Sequence, residues 1–345
     1  MEAGLRVRPA GIATGDVGTA PTSAELAAAR ELVAREVSPT PTVSVPHLSS
    51  ALGRETWLKL ECLSPIRSFK HRGALCAVRA VKGSGAAGVV TVSTGNHGQG
   101  VAYAGRRLGV PVTVVAPRPS EPRKLAAIRD LGAEVELRGE NLSQAEEAAA
   151  ELAAARELTY LEDGEDPWLM AGAATVLLEL MEQATGLDTV LVQVGGGNLI
   201  AASLLAAHAE RWPVRIVGVQ STAAPGATLS WHEGRIRPAE SRTIASGIAT
   251  EKPGRLAFGV MKALLGSILL VDDADLWRSV GTLLGTTGLA VEPSGAAGVA
   301  ALERFGEAIE GERVGVLLTG GWIGEAALAE VAGRLAVQES GGGSV

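Results

Sequence analysis

Aromatic residues make up only 3% of this 345-residue chain, and cysteine occurs twice. Two thiols, Cys62 and Cys76, cannot build a disulfide framework and have no metal-ligand spacing, so neither a stapled scaffold nor a zinc module is expected. No stretch approaches ~18 uninterrupted apolar residues, and the N-terminus lacks a signal-peptide core. A cytoplasmic protein with no membrane partner is the expectation. No run of basic residues offsets the formal net charge of −7, which argues against a nucleic-acid partner. No repeat of ~20 to 50 residues is visible either.

What is present describes a soluble globular chain with room for two ordinary domains. Hydrophobic residues reach 46%, charged residues 20%, and glycine occurs 44 times, which suits tight turns and close helix-on-sheet packing. Residues 1–21 form a Gly/Pro/Thr-rich arm without periodicity, and the Gly-rich tail 341–345 is expected to fray. Thr22 and Glu25 offer a capping box for an Ala-rich helix to about Val37, after which Pro39 and Pro41 force extended chain. A strand follows at 56–60. From residue 88, short apolar strands (89–92, 112–116, 134–137) alternate with helices (to about 108, 122–131, 143–157). The alternation resumes with strands at 189–194, 215–219, 268–271 and 314–318. Such alternation indicates βαβ crossovers and parallel sheets. Residues 221–256 read as irregular connection. The strands fall into two groups, predicting a small inserted α/β domain at 88–164 and a larger one built from 1–87 and 165–345.

The stretch Ser68-Phe69-Lys70-His71-Arg72-Gly73-Ala74 follows the strand at 56–60 and opens a helix. Ser68 stands where an N-cap is expected, which puts Lys70 on the first turn. The positive end of the helix dipole favours a neutral amine there, and a neutral lysine can form an imine with a carbonyl compound.

Several loops at strand ends could hold ligands. Gly195-Gly196-Gly197-Asn198 follows an apolar strand and opens a helix, so its backbone N–H groups can converge on a phosphate; no Gly-Lys-Ser/Thr follows, so it is not of Walker type. The bare alternative is a tight turn that binds nothing. Ser93-Thr94-Gly95-Asn96-His97-Gly98 gathers hydroxyls, an amide and an imidazole at another helix start, which suits a small carboxylate. Its alternative is a helix cap with a buried histidine. Thr319-Gly320-Gly321 and Glu292-Pro293-Ser294-Gly295-Ala296 are weaker candidates. A literal G-x-G-x-x-G at Gly83 to Gly88 precedes a strand instead of following one, so it is no dinucleotide fingerprint.

Together SFKHRGA (68–74), STGNHGQG (93–100), GGGN (195–198), EPSGA (292–296) and TGG (319–321) resemble the fold type II pyridoxal-phosphate enzymes, in particular their serine/threonine dehydratase (ammonia-lyase) group. The match runs in the family's order over about residues 35–322. The resemblance implies a two-domain α/β fold of the tryptophan synthase β type, with parallel twisted sheets flanked by helices. It implies that Lys70 carries pyridoxal 5'-phosphate as an imine, Phe69 packs on its ring and Asn96 bonds its phenolic oxygen. Gly195, Gly196, Gly197, Asn198 and Leu199 would cradle the phosphate, Thr319 would face the pyridine nitrogen, and Glu292 would complete the cofactor site. Ser93, Thr94, Gly95, Asn96 and His97 would hold the substrate carboxylate.

The implied reaction is α,β-elimination from an L-threonine- or L-serine-like amino acid, giving a 2-oxo acid and ammonia. A hydroxyl at Thr319, unlike an aspartate, makes the ring a moderate electron sink, which suits prompt loss of a β-leaving group. Lys70 would be the base for the α-proton. A β-replacement synthase or a racemase on a related amino acid is the alternative, and a homodimer is the expected assembly. The chain departs from the family pattern at Arg67, Trp322, Ala173-Ala174 and Ser246; Arg67 could add charge near the pocket and suit a substrate with a second acidic group. Only about 23 residues follow Trp322, too few for a regulatory domain. The loop Gln220 to Gly226 contains no carboxylate, so no divalent metal is expected there. Thr94, where serine racemases have serine, is expected to act as a carboxylate or packing contact, with little racemase activity.

Overall fold

A computed structural model describes residues 20–341. The readings made for the first 19 residues and for 342–345 fall outside the described residues. Among the described residues ten strands form two sheets: β1 (Thr42–Ser44), β2 (Glu55–Lys59), β3 (Val89–Val92), β4 (Val112–Ala116), β5 (Glu134–Leu137), β6 (Thr159–Tyr160), β7 (Thr189–Gln193), β8 (Arg215–Ser221), β9 (Ser267–Val271) and β10 (Arg313–Leu317). The larger sheet has the order β1-β2-β10-β7-β8-β9 and the smaller β5-β4-β3-β6. Every pairing is parallel except β1 with β2. The strands of the smaller sheet are contiguous in sequence, whereas those of the larger come from both sides of them. The α/β architecture with parallel sheets flanked by helices is the one expected. β1 realises the extended segment enforced by Pro39 and Pro41.

The helix Lys70–Ser84 lies between the two sheets' helical layers and is held by close glycine contacts. A Cβ on Gly73 would stand 2.4 Å from the Leu169 carbonyl oxygen, and one on Gly172 2.4 Å from that of Arg72. Helices Lys70–Ser84 and Pro167–Gln183 therefore cross with backbones nearly touching. On the other side, a Cβ on Gly100 in helix Asn96–Leu108 would stand 2.9 Å from the Lys70 carbonyl. Small residues at these positions allow approach distances that side chains would prevent. Helix Pro167–Gln183 buries an unbroken run from Leu169 to Leu178, so it carries no apolar stripe for a periodicity reading to find.

Residues 221–256 are more ordered than their composition suggests. They contain helix Gly226–Glu233 and a 3-10 turn, Ser246–Ile248. Here Gly226 serves packing and not a turn, since a Cβ there would stand 2.0 Å from the Glu251 carbonyl oxygen. Gly234, at φ 69°, ends the helix in the left-handed conformation.

Candidate active site

The loops after β3, β6, β7 and β10, the 3-10 turn Ser246–Ile248, the loop before helix Pro293–Phe305 and the start of helix Lys70–Ser84 are linked in a ring of contacts. The ring begins at Lys70, whose Nζ donates to Asp163 Oδ2 in the loop after β6. The other Asp163 oxygen accepts from Asn198 Nδ2 at 3.1 Å. Asn198 begins helix Asn198–Ala209, preceded by Gly197 at φ 92°. The next link is from Gly195 to the 3-10 turn, where its Cβ would lie 3.1 Å from Ile248 Cα. A Cβ on Gly247 would lie 2.6 Å from Ser294 Oγ, and that hydroxyl donates to Glu292 Oε1 at 2.7 Å. Glu292 N donates to Gly320 O at 3.1 Å, and Phe69 N to Thr319 O at 3.3 Å, which returns the ring to Lys70. From the smaller sheet's side, Asn96 Nδ2 donates to Glu292 Oε1 at 3.0 Å.

The sites predicted from sequence thus come into one neighbourhood, with differences in detail. Phe69, not Ser68, holds the N-cap position of helix Lys70–Ser84, and no side chain caps it. The Ser68 hydroxyl is buried without a hydrogen-bond partner because its residue is drawn into a bridge with Gly320, away from the first-turn N–H groups. The helix dipole is also not the only field on Lys70, since a carboxylate stands against its nitrogen. Burial opposes the charge on Asp163, but Lys70, joined by the Asn198 amide, holds its carboxyl below the usual range.

His97 is turned into the fold. Its Nε2 lies 2.9 Å from Thr91 Oγ1, and Thr91 Oγ1 donates to the Leu161 carbonyl at 2.7 Å. The threonine's one proton is thereby committed, so Nε2 must carry the hydrogen and donate. Burial pushes the His97 pKa down, leaving a neutral ring. Ser93 Oγ accepts the Gly95 N–H at 3.1 Å, which shapes the loop, and Thr94 and Asn96 are half-buried on it. Thr319 is buried at the end of β10, and Leu199 in the first turn after the glycines. Burial raises the Glu292 pKa, opposed by Ser294, Lys124 and Asn96. Burial pushes the Cys62 thiol up to about 11 and the Cys76 thiol up to about 12, which removes both as thiolate nucleophiles at neutral pH.

Arg67 and Trp322, both departures from the family pattern, are partners. The guanidinium lies 5.5 Å from the Trp322 ring centroid, and Trp322 Nε1 donates to Ile66 O at 2.9 Å. With Gly321 N donating to Arg67 O at 2.9 Å, this stack pins the Lys70 loop to the loop after β10. Arg67 itself is exposed, with φ 56°.

Asp163 was not among the residues singled out from sequence. Its signal is the acidic run Glu162-Asp163-Gly164-Glu165-Asp166, one residue beyond a parallel strand at the end where ligands collect. Lys124 is a second addition: its Nζ lies 3.3 Å from both Ser246 Oγ and Glu121 Oε2, at a cavity of about 350 Å³ that Glu292 and Trp322 also line. A larger cavity, about 730 Å³, opens at Thr189, Arg215 and Ser267, the opposite ends of the strands from the ring. Among the described residues, no group of three or more His, Cys, Asp or Glu is placed to hold a metal ion, and no helix is long and apolar enough to cross a membrane.

Comparison with known proteins gives this arrangement a context. Residues 33–320 match the family described as pyridoxal-phosphate dependent enzyme. The chain is 38% identical over 270 residues to the L-threonine ammonia-lyase of Geobacter sulfurreducens, a match covering 78% of this chain and 67% of that protein. It therefore spans about two thirds of the length of that relative. Among solved structures, a threonine deaminase from T.th. superposes with a TM-score of 0.83 at 34% identity, over 88% of this chain and 99% of that one. Maize serine racemase gives a TM-score of 0.86 at 27% identity, over 93% and 99%.

Proposed function

The chain belongs to the pyridoxal-phosphate-dependent enzymes, and from that premise we propose that it eliminates the β-hydroxyl of an L-threonine- or L-serine-like amino acid, releasing a 2-oxo acid and ammonia. The observation that carries this reading is the ring itself: a lysine, a glycine-rich helix start and a hydroxyl-rich helix start are joined by one chain of contacts. The L-threonine ammonia-lyase and threonine deaminase among the similar proteins support the same reaction class.

The residues fit the cofactor. Helix Asn198–Ala209 starts with no side-chain cap, and a Cβ on Gly196 would meet nothing within 4 Å, so the loop leaves both room and unclaimed backbone donors for a phosphate. The buried Oδ1 atoms of Asn96 and Asn198 and the Ser68 hydroxyl have no hydrogen-bond partner, as expected of groups lining a polar ligand. We assign the phosphate to Gly195, Gly196, Gly197, Asn198 and Leu199, the ring to the side chain of Phe69, the phenolic oxygen to Asn96 and the pyridine nitrogen to Thr319, with Glu292 orienting Asn96.

When bound, the cofactor supplies the electron sink that makes an α-proton of an amino acid removable. The chain's own residues supply position and proton transfer. Ser93, Thr94, Gly95 and Asn96 hold the substrate carboxylate at the start of helix Asn96–Leu108, whose dipole favours an anion. His97 acts from behind, fixing the loop through Thr91. Lys70 Nζ would be the covalent anchor of the cofactor and, as a free amine, the acceptor of the α-proton. We further propose that residues 88–164 form a small domain inserted into a larger one, and that the protein works as a homodimer.

The test is spectroscopic and chemical. The purified protein should be yellow and release 2-oxo acid from L-threonine or L-serine. Lys70→Ala should lose the coloured band and lower turnover by roughly 10²–10⁴-fold or more. A protein that stays colourless with added cofactor would end the reading.

A further inference from the structure

We propose that Asp163 is the counter-ion of the Lys70 nitrogen, holding positive charge on it when the cofactor is attached, so that it is a positioning residue of the reaction. The proposal rests on the reading of Lys70 as the cofactor lysine. It stands on four observations. Lys70 Nζ donates to Asp163 Oδ2, and the second carboxylate oxygen is fixed by Asn198 Nδ2 at 3.1 Å, so the carboxylate is held from both sides and aimed at the amine. The pair is only partly open to solvent, with 17% of the Lys70 side chain and 30% of that of Asp163 exposed, so its field is incompletely screened. The Lys70 nitrogen also lies 5.0 Å from the Phe69 ring centroid, a second feature suited to a cation. Finally, Asp163 stands on the loop after β6 and Lys70 on a helix start, so the pair is a tertiary contact across 93 positions of sequence.

The charged and titratable groups facing the pair decide whether other residues could do the same work. From helix Asn96–Leu108 comes His97, whose ring is neutral in its buried setting and bonded to Thr91. From helix Asn198–Ala209 comes Asn198, which is uncharged. Glu292, across the ring, is bonded to Ser294 and Asn96, and burial favours its protonated form. Asp163 is thus the carboxylate in direct contact with the reacting nitrogen. Attaching the cofactor consumes two of the three Nζ hydrogens of the ammonium and leaves one N–H on the linked nitrogen while it stays protonated. That hydrogen can still donate to a carboxylate. When the substrate amine takes over, Asp163 remains beside the released lysine and orients it for proton transfer.

The experiment is an absorbance titration of the cofactor-loaded protein without substrate, which reads protonation of the Lys70-linked chromophore and not turnover. An opposite charge within ~4–6 Å shifts a pKa by roughly 1–3 units. Asp163→Asn, nearly isosteric, should therefore lower the midpoint of the long-wavelength band by about 1–3 units, while Asp163→Glu, which keeps the charge, should stay near the wild type. An Asp163→Asn protein that binds the cofactor with an unchanged midpoint overturns the proposal. Should that variant take up no cofactor, the other two proteins decide: a wild-type band lost at or below neutral pH overturns the proposal, and a band that persists into alkaline pH in both wild type and Asp163→Glu supports it. Lys70→Ala separates the two levels of the argument. A coloured band that survives Lys70→Ala sinks the assignment of the cofactor lysine, whereas a Lys70-dependent band indifferent to Asp163 sinks only the counter-ion.

Discussion

Two cations two residues apart on one helix are treated in opposite ways. Arg72 is fully buried, and all five of its donors are used: Glu61 takes Nε and one Nη2 hydrogen at 2.9 Å each, Glu179 takes Nη1 at 2.6 Å and Nη2 at 2.7 Å, and Thr175 receives the last at 3.2 Å. Lys59 closes the cluster, donating to Thr40 O, Glu179 and Gln183 at 2.8 Å each. Two cations and two anions cancel. Lys70, by contrast, has one anionic partner, is partly exposed and leaves donor capacity unused. A saturated, dry ion cluster can only fix a backbone, whereas an unsaturated, half-open one can exchange partners. The first sets where Lys70 stands, and the second leaves it the freedom that the reaction proposed for it would need.

The largest expected effect follows from breaking the saturated cluster. Arg72→Met leaves Glu61 buried and uncompensated, which should cost about 3–5 kcal/mol in urea unfolding. Lys70→Met removes a partly solvated pair and should cost about 1 kcal/mol or less, while abolishing the coloured band. Equal losses of stability from the two would erase the distinction.

Acid sharpens the same contrast. Burial opposes ionisation of Glu61 and Glu179, but Arg72, joined at Glu179 by Lys59, holds both carboxyls below their ordinary value of 4.5. Depressed carboxylates contribute stability that is present above the unfolded-state value and lost as pH falls through the folded-state value. Stability should therefore decline as pH drops below about 4.5, and this acid limb should flatten in Arg72→Met. Urea midpoints measured against pH would show it; an acid limb unchanged in the variant would mean that other carboxylates carry the dependence.

The sequence made the reactive part of this contrast more legible than the saturated part. Glycines and polar groups at strand ends mark a ligand loop because local chain geometry demands them, and the loops at 93–100, 195–198 and 319–321 sit where alternation of strands and helices puts them. Glu61, Arg72 and Glu179 meet only in three dimensions, so no spacing announces them. Asp163 hides for the same reason: its partner is 93 positions away, and an acidic run by itself reads as a solvated loop. Ser68 misled because a hydroxyl before a helix is a good cap in general, but here the bridge to Gly320 turns it elsewhere. Helix Pro167–Gln183 escaped because burial on all sides removes the periodicity that reveals a helix.

Smaller effects should separate fold from site within the glycine loop. Gly197 has φ 92°, and a Cβ there would lie 3.0 Å from Met261 Sδ, so Gly197→Ala should lose about 1 kcal/mol or more of stability. A Cβ on Gly196 meets nothing within 4 Å, so Gly196→Ala should melt like the wild type yet bind the cofactor about tenfold more weakly, because the methyl enters the space assigned to the phosphate. Thermal melts of the apoprotein beside cofactor titrations read both. A Gly196→Ala protein with wild-type affinity would move the phosphate away from this loop.

The smallest expected effect tests whether Lys70 is the only proton carrier at the α-carbon. Racemisation requires a second acid/base on the opposite face of the substrate, and maize serine racemase is among the structures that superpose well on this chain. In this chain the candidate is Thr94, half-buried on the loop to which we assign the substrate carboxylate. Its β-branch limits χ1 and sets a methyl beside the hydroxyl, so the side chain is poorly suited to swing toward a proton and back. Serine at this position would have the freedom that threonine lacks. With L-serine in deuterated buffer, 2-oxo acid release should greatly exceed appearance of the D-isomer in chiral chromatography of recovered substrate, and Thr94→Ser should raise the D-isomer fraction without raising 2-oxo acid release. D-isomer accumulating in the wild type at a rate near that of elimination would put a working acid/base on both faces, and Lys70 would no longer be alone in its role.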